Sequence, residues 1–230
     1  RFFFAEGTTR PGFDTYFCIM NPGDKQADVK LTYMKGDGTN AEQTFSVPPH
    51  TRATVRANDL LGSAEDVSCD FSTLVESTNG VPVIIERPMY FNYMGSISGG
   101  SCEPGTTETA TQLYFAEGTA RNGFDSYLCL QNPSGTDAMV KLTYMKGDTT
   151  TTSRDLKVPA RSRHTVYANN DVNYDLMDYY ASLEMYFYKF LSWQTKGVSV
   201  VANSRDYAQQ HEQGQYGKKE DYLRRYMYSL

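Results

Sequence analysis

The sequence predicts an all-β chain made of two tandem β-sandwich modules. The stretch FAEGTTRPGFDTYFCIMNPG, which begins at Phe4, recurs as FAEGTARNGFDSYLCLQNPS from Phe115, an offset of 111 residues. Within each copy, apolar and polar residues alternate with a period of two, which is typical of half-buried strands. Gly, Pro, Asn and Asp separate these short runs, and strands at such spacing indicate a sandwich.

The repeat is long and free of gaps. From Phe2 to Asp37, 23 of the 36 positions are identical to the residues 111 places later, and the block VKLTYMKGD is unchanged. A match of this length indicates a duplicated unit rather than a shared short motif. The predicted organisation is a first module at 1–98, a linker rich in Gly, Ser, Thr and Glu at 99–111, a second module at 112–207 and an aromatic tail at 208–230.

Each strand of the first module follows from the alternation and from the residues that interrupt it. The segment 29–35 alternates, and Asp37-Gly38 then predicts a hairpin turn, because this pair accepts positive φ angles. Pro48-Pro49 ends the return strand, since proline cannot donate to a ladder. The predicted strands are 2–5, 13–20, 29–35, 43–47, 51–57, 66–77 and 81–85.

The second copy diverges towards its end. Gly80-Val81 matches Gly197-Val198, so about six residues have been gained before this point. The region 171–193 is rich in Tyr, Phe and Met, and its apolar residues also fit a helical spacing. The duplicated architecture favours strands here, and strands are our prediction.

Charge and hydropathy exclude two classes of partner. The chain carries 22 Lys and Arg against 27 Asp and Glu, a net charge of −5, and its basic residues form no stripe. We therefore expect neither nucleic-acid binding nor a polybasic membrane patch. No apolar run approaches the roughly 20 residues of a membrane helix. The chain opens on a strand-like segment without a signal peptide, so we expect a mature product or a fragment.

No pattern in the sequence predicts an enzyme. The three histidines, His50, His164 and His211, do not recur at equivalent positions of the two copies, and no metal-ligand spacing is present. A nucleophile elbow, a P-loop and a dinucleotide fingerprint are also missing. We predict no catalytic residue, no cofactor and no metal.

The four cysteines leave two interpretations open. Cys18, Cys69, Cys102 and Cys129 can form two disulfides in any of three pairings. They can equally be four thiols that pack as small hydrophobic groups. No pair has the spacing of a zinc or redox motif.

A charged pair also recurs with the repeat. Arg10 and Asp14 return as Arg121 and Asp125, and they are placed to pair across the loop before the second strand. The plainer interpretation is a loop whose shape the fold requires, because single charged loop residues are usually solvated.

The repeated motifs resemble a family of bacterial cell-surface repeat modules. The family pattern is a FAEG opening, an NP turn, a VPAHSR segment and an ERPMYFNY end. The matching segments are Phe4–Gly7, Asn21-Pro22, Val47–Arg52 and Val81–Tyr93 in the first copy, and Phe115–Gly118, Asn132-Pro133 and Val158–Arg163 in the second. The resemblance implies immunoglobulin-like sandwiches found in tandem in exported proteins. It also implies a spacer, adhesive or lattice role outside the cell, and no catalytic residues.

We therefore expect a non-enzymatic extracellular or cell-surface protein that self-associates into a filament or layer. The expected contact is exchange of the first strand or of the aromatic tail with the sheet edge of another copy. A head-to-tail contact of this kind does not close. The expected interface residues are Phe2, Phe3, Phe4, Tyr222, Tyr226 and Tyr228. The alternatives are a module that binds cell-wall glycan through aromatic side chains and an accessory part of a larger cell-wall hydrolase.

Overall fold

The computed structural model describes residues 1–93, 95–120, 124–172, 178–186 and 201–208, and these form mostly β-strands. All strand pairs are antiparallel, and they build four sheets. The prediction of an all-β chain is confirmed at this level. Within the described ranges, no helix is long and apolar enough to cross a membrane.

The N-terminal half, residues 1–104, contains two four-stranded sheets. Its strands are β1 (Phe2–Phe4), β2 (Phe13–Asn21), β3 (Ala27–Lys35), β4 (Asn40–Val47), β5 (Thr51–Arg56), β6 (Phe71–Ser77), β7 (Ile84–Tyr93) and β8 (Ile97–Pro104). A short helix α1 (Asn58–Leu61) and a 3-10 turn (Val67–Cys69) lie between β5 and β6. The first sheet has the order β1-β6-β3-β4 and the second has the order β5-β2-β7-β8.

The described strands of the C-terminal half, within residues 112–208, follow the same order as β1 to β7, and none of them corresponds to β8. Its elements are β9 (Gln112–Thr119), β10 (Phe124–Asn132), β11 (Ala138–Lys146), β12 (Thr151–Val158), β13 (Ser162–Tyr167), α2 (Asn169–Val172), β14 (Asp178–Tyr186) and β15 (Val201–Ala208). Its sheets have the orders β9-β14-β11-β12 and β13-β10-β15. The bounds of β10 to α2 are those of β2 to α1 moved by 111 residues.

Alternate residues of the central strands form the core of each half. In the N-terminal half, Phe17 on β2 and Tyr33 on β3 are fully buried, and their ring centroids lie 6.0 Å apart. Tyr33 also meets Phe71 edge to face at 5.4 Å. In the C-terminal half, Leu128 and Tyr144 take the corresponding places in the core. Each such side chain stabilises the fold by about 1.5–3 kcal/mol through burial. The two sheets of each half thus pack as a sandwich-like pair.

A buried asparagine fixes the repeated Asn-Pro turn. The side-chain amide of Asn21 donates to the carbonyls of Lys25, Val47 and Pro48 at 2.8, 2.9 and 3.2 Å. Asn132 donates in the same way to the carbonyls of Thr136, Val158 and Pro159. Each asparagine ties the end of one sheet's strand to the other sheet, which explains why this residue recurs.

Strand pairing shows that β15, at the divergent end of the second copy, corresponds to β7 of the first copy. Ile19 pairs with Ile85, and the corresponding Leu130 pairs with Ala202, so the offset has grown from 111 to 117 residues. This is the gain of about six residues that the sequence indicates. Residues 178–186 form a strand, as predicted, rather than a helix.

Several predicted boundaries differ from the observed ones. The strand predicted over 66–77 begins with the 3-10 turn, because the Asp66 carboxylate accepts a hydrogen bond from the Ser68 amide at 2.7 Å. The strand predicted over 81–85 begins at Ile84. The segment predicted as a linker, 99–111, has its first six residues in β8.

Arg10 and Asp14, which could pair across the loop, do not pair with each other in the N-terminal half. Arg10 instead donates from Nε and Nη2 to the two carboxylate oxygens of Asp70, at 2.9 and 2.7 Å. Asp14 accepts from Arg56 Nε at 3.0 Å. The loop carries Arg10 towards the first sheet, where Thr8 also bonds Asp70, and it leaves Asp14 on the second sheet. Arg121 lies outside the described residues.

Candidate interaction surface

The second sheet of the N-terminal half presents one face to the core and one face away from it. We call the second of these the N-terminal outer face. On β2, Phe17 and Ile19 face the core, so Cys18 and Met20 face outward. The residues that form the N-terminal outer face are Tyr16, Cys18, Met20, Arg52, Thr54, Ile84, Glu86, Tyr90 and Cys102.

An apolar and aromatic strip crosses this face. Met20 on β2 is the register partner of Ile84 on β7, and both side chains are exposed. Further along the same two strands, the rings of Tyr16 and Tyr90 meet edge to face with centroids 6.0 Å apart. Tyr90 is exposed as well. Neighbouring exposed apolar groups on two strands form a surface suited to contact with another molecule.

Hydrogen-bonded polar groups border the strip on the β5 side. Arg52 Nη2 donates to Thr54 Oγ1 at 2.9 Å and contacts Cys18 Sγ at 3.4 Å. Arg56 donates to Asp14 and Asp59, and these hydrogen bonds hold the pKa of the guanidinium above its usual range. Both arginine side chains are therefore held by neighbouring side chains, and the guanidinium of Arg56 stays charged.

A carboxylate interrupts the strip, and a thiol lies beside it. Glu86 is on β7 between Ile84 and Tyr90, and Cys102 is on the neighbouring strand β8. Cys102 Sγ lies 4.0 Å from Glu86 Oε2. Burial, followed by the nearby Glu86 charge, raises the pKa of the Cys102 thiol. A raised pKa favours the protonated thiol, which is a weaker nucleophile than the thiolate.

The four cysteines that the sequence leaves open to disulfide formation are thiols in the structure. Cys18 lies on β2 and Cys102 on β8, and β7 runs between these strands. Two strand spacings separate them by about 9–10 Å, which exceeds the Cα separation that a disulfide bridges. Cys69 and Cys129 are buried. The four cysteines pack as thiols in the structure, and the disulfide interpretation stays a prediction.

The predicted interface residues of the first strand lie within their own chain. Phe4 is part of the N-terminal core, and Phe3 packs with Leu74 on the other side of the same sheet. Phe2 is half-buried against the core. The Phe3 amide and carbonyl also bond Thr106 at 2.8 and 3.1 Å, which closes the second edge of β1. These three side chains are therefore packed within their own chain. They can contact another copy only if β1 exchanges between copies.

The remaining predicted interface residues, Tyr222, Tyr226 and Tyr228, lie outside the described residues.

The corresponding face of the C-terminal half is largely covered. Cys129, Gln131 and Arg163 occupy the positions of Cys18, Met20 and Arg52, and all three are buried. Arg163 Nη2 contacts Cys129 Sγ at 3.5 Å, as Arg52 contacts Cys18. The same local arrangement is thus exposed in one half and buried in the other.

The cover includes the first sheet of the N-terminal half. Cα atoms of β13 lie within 8 Å of Cα atoms of β3 and β6, and those of β15 approach β1 in the same way. On that sheet, Met34 and Ser72 face away from the core and are nevertheless buried. The two halves therefore contact each other through one sheet of each, face against face.

The described residues contain no cluster of three or more His, Cys, Asp or Glu side chains that could hold a metal ion. An open depression beside β3 and β4 is lined by Asp28, Thr44 and Phe45. Hydrogen bonds from Ser46 and Gln26 lower the pKa of the Asp28 carboxyl, so this group is a charged acceptor rather than a general acid.

The sequence did not single out Met20, Ile84, Tyr90 or Arg52. One feature of the sequence could have indicated this face: Met20 is an apolar residue at an outward position of an alternating strand. The second copy places the polar Gln131 there.

Two solved structures resemble part of the chain. The crystal structure of Thermotoga maritima 1070 matches at 23% identity and a TM-score of 0.40, covering 46% of this chain and 92% of that one. The Anabaena sensory rhodopsin transducer matches at 21% identity and a TM-score of 0.35, covering 44% of this chain and 99% of that one. Both likenesses concern the fold alone. No protein-family model and no curated protein matches the chain.

Proposed function

We propose that the chain consists of two tandem immunoglobulin-like modules of a non-enzymatic structural protein at the cell surface. Its copies self-associate into a filament or layer. The observation that carries this proposal is the N-terminal outer face, where Met20, Ile84 and Tyr90 are exposed together. The equivalent face of the other half is buried against protein, which supports a role for this type of face in packing.

Exchange of the first strand is one route to association. The strand β1 has only three residues and pairs with β6 from Phe2↔Val75 to Phe4↔Thr73. The same register can form with the β1 strand of another copy, as in domain swapping. Exchange of the aromatic tail, 208–230, is the second route and involves residues outside the described ranges.

Light scattering and electron microscopy of the whole chain test the proposal. We expect species larger than a monomer whose size grows with concentration. Deletion of residues 1–5 or of 208–230 separates the routes, because the deletion that removes the exchanged segment abolishes assembly. A whole chain that stays monomeric at every concentration contradicts self-association. If each of the two deletion variants assembles as well as the whole chain, both exchange routes are contradicted.

A second candidate function is binding of cell-wall glycan. It is favoured by the adjacent rings of Tyr16 and Tyr90 beside Arg56, the register partner of Tyr16, because sugars stack on aromatic rings and accept hydrogen bonds from charged groups. A pull-down on purified cell walls tests it with Tyr90→Ala, and Tyr114→Ala is the control at another exposed tyrosine. Loss of retention for Tyr90→Ala alone supports glycan binding, whereas equal retention of both variants contradicts it.

A further inference from the structure

Residues of the second sheets that are 111 positions apart have opposite exposure. Met20 exposes 41% of its surface, and Gln131 exposes none. Both face away from the core of their own half, and both lie opposite an arginine on the neighbouring strand, Arg52 or Arg163. Intrinsic preference does not explain the difference, because the more polar residue is the buried one. The difference arises from what packs on each face.

The first sheets show the reverse difference. Phe3 of the N-terminal half exposes 9% of its surface, and Tyr114, its equivalent in the C-terminal half, exposes 69%. Phe3 pairs with Leu74 on β6, and Tyr114 pairs with Ser182 on β14, at the same place in the two sheets. Here the N-terminal half is covered and the C-terminal half is open.

Among the described side chains, each half therefore has one covered outer face and one open outer face. The open faces belong to different sheets, the second sheet of the N-terminal half and the first sheet of the C-terminal half. The contact inside the chain joins β13 and β15 of one half to β1, β3 and β6 of the other. The open faces carry the corresponding strands. These are β5 and β7 at the N-terminal end, and β9, β11 and β14 at the C-terminal end.

We propose that copies of the chain stack head to tail through these two open faces. The N-terminal outer face of one copy covers the outer face of the sheet β9-β14-β11-β12 in the next copy. The contact repeats between chains the one that the halves make within a chain. It rests on the self-association proposed above and names the surfaces that meet.

This contact leaves one open face at each end of every assembly. A contact between two different surfaces does not close on itself unless its rotation happens to form a ring, so it produces a filament.

By equivalence with the internal contact, β5 lies over β11 and β14 of the next copy, and β7 lies over β9. Ile84 and Tyr114 thus fall within the two opposing surfaces.

The test uses one lysine on each open face. Ile84→Lys places a charge on the N-terminal outer face, and Tyr114→Lys places one on the opposing face. Val67→Lys is the matched control, because Val67 is an exposed apolar residue in the 3-10 turn and lies on neither face. All three side chains are exposed, so each variant should fold, which circular dichroism checks.

Sedimentation velocity then distinguishes the outcomes. We expect Ile84→Lys and Tyr114→Lys each to need at least about a tenfold higher concentration to assemble than the whole wild-type chain. Val67→Lys should assemble like the wild type. An equimolar mixture of the two face variants should form a one-to-one dimer and no longer species, because each variant keeps the face that the other lacks.

Three results overturn the stacking contact. If both face variants assemble like the wild type, the contact is wrong although self-association stands. If both are monomers and their mixture is also monomeric, the two faces do not meet each other. If the wild type itself never associates, the proposed function and the contact fail together.

Discussion

Met20 and Gln131 occupy equivalent positions in β2 and β10, and only Gln131 is covered by another part of the chain. The amide of Gln131 is buried, and neither its nitrogen nor its oxygen has a hydrogen-bond partner. A buried amide without partners lowers stability, so the contact between the two halves is held by packing rather than by this polar group.

Replacing Gln131 by its counterpart should stabilise the fold. Glutamine and methionine side chains have similar shapes, so Gln131→Met should fit the same space. The substitution removes the buried amide, which costs about 1–3 kcal/mol of stability when it has no hydrogen-bond partner. We expect the free energy of unfolding in urea to rise by about 1 kcal/mol. The reciprocal Met20→Gln acts on an exposed residue and should change stability by less than about 0.5 kcal/mol. A loss of stability for Gln131→Met would show that the amide has a partner in solution.

The thiols should differ in reactivity according to their burial. Cys102 is exposed and Cys18 is half-buried, whereas Cys69 and Cys129 are buried. A thiol reagent should therefore modify Cys18 and Cys102 more rapidly than Cys69 and Cys129 in the native protein, and all four after denaturation without a reductant. Cys102→Ser should remove one of the rapid reactions. Fewer than four thiols in the denatured, unreduced protein would instead establish a disulfide.

The hairpin turn of the C-terminal half contains removable strain. Thr149 has a φ of 70° where the N-terminal half has Gly38 at 83°. A residue with a Cβ atom destabilises the fold by about 1–2 kcal/mol at such a φ. Glycine removes this cost, but its greater freedom in the unfolded chain lowers the stability by about 0.5–1 kcal/mol. Thr149→Gly should thus raise the unfolding free energy by about 0.5–1 kcal/mol. Thr165→Gly, in β13, is the control and should lower it.

His164 should make the C-terminal half less stable in acid. Burial, followed by the charges of Arg154 and Arg163, lowers the pKa of the His164 imidazole below its ordinary value. As the pH falls through about 6.5, the unfolded chain binds a proton before the folded one does, so stability decreases until the lowered folded pKa is reached.

The variant His164→Ala isolates this contribution, because alanine is the residue at the equivalent position 53. Urea unfolding between about pH 7.5 and pH 5 should show a smaller loss of stability for the variant than for the wild type. An equal loss in both proteins would mean that His164 titrates alike in the folded and unfolded states.

The strands were predictable wherever one face is buried and the other is not. Alternation in 29–35 specifies β3, and the repeated Asn-Pro turn marks the end of β2. Both signals are local, because they depend on the side-chain period of a strand and on proline. The prediction of strands in the divergent region rested on the duplicated architecture instead, and β14 confirms it there.

The partner of Arg10 and the exposure of each outer face were not predictable in this way. Arg10 pairs with Asp70, which is 60 residues away in the sequence. Gln131 is buried by elements outside its own sheet, and a strand's periodicity carries no information about what covers its outward side. The sequence therefore does not distinguish the exposed N-terminal outer face from its buried equivalent in the C-terminal half.

Sedimentation velocity of the whole, unmodified chain over a wide range of concentrations tests the central claim most directly. The account predicts a distribution that shifts to larger species as the concentration rises, without stopping at one closed oligomer. A single monomeric species at every concentration would contradict self-association, and a single closed dimer would contradict head-to-tail stacking.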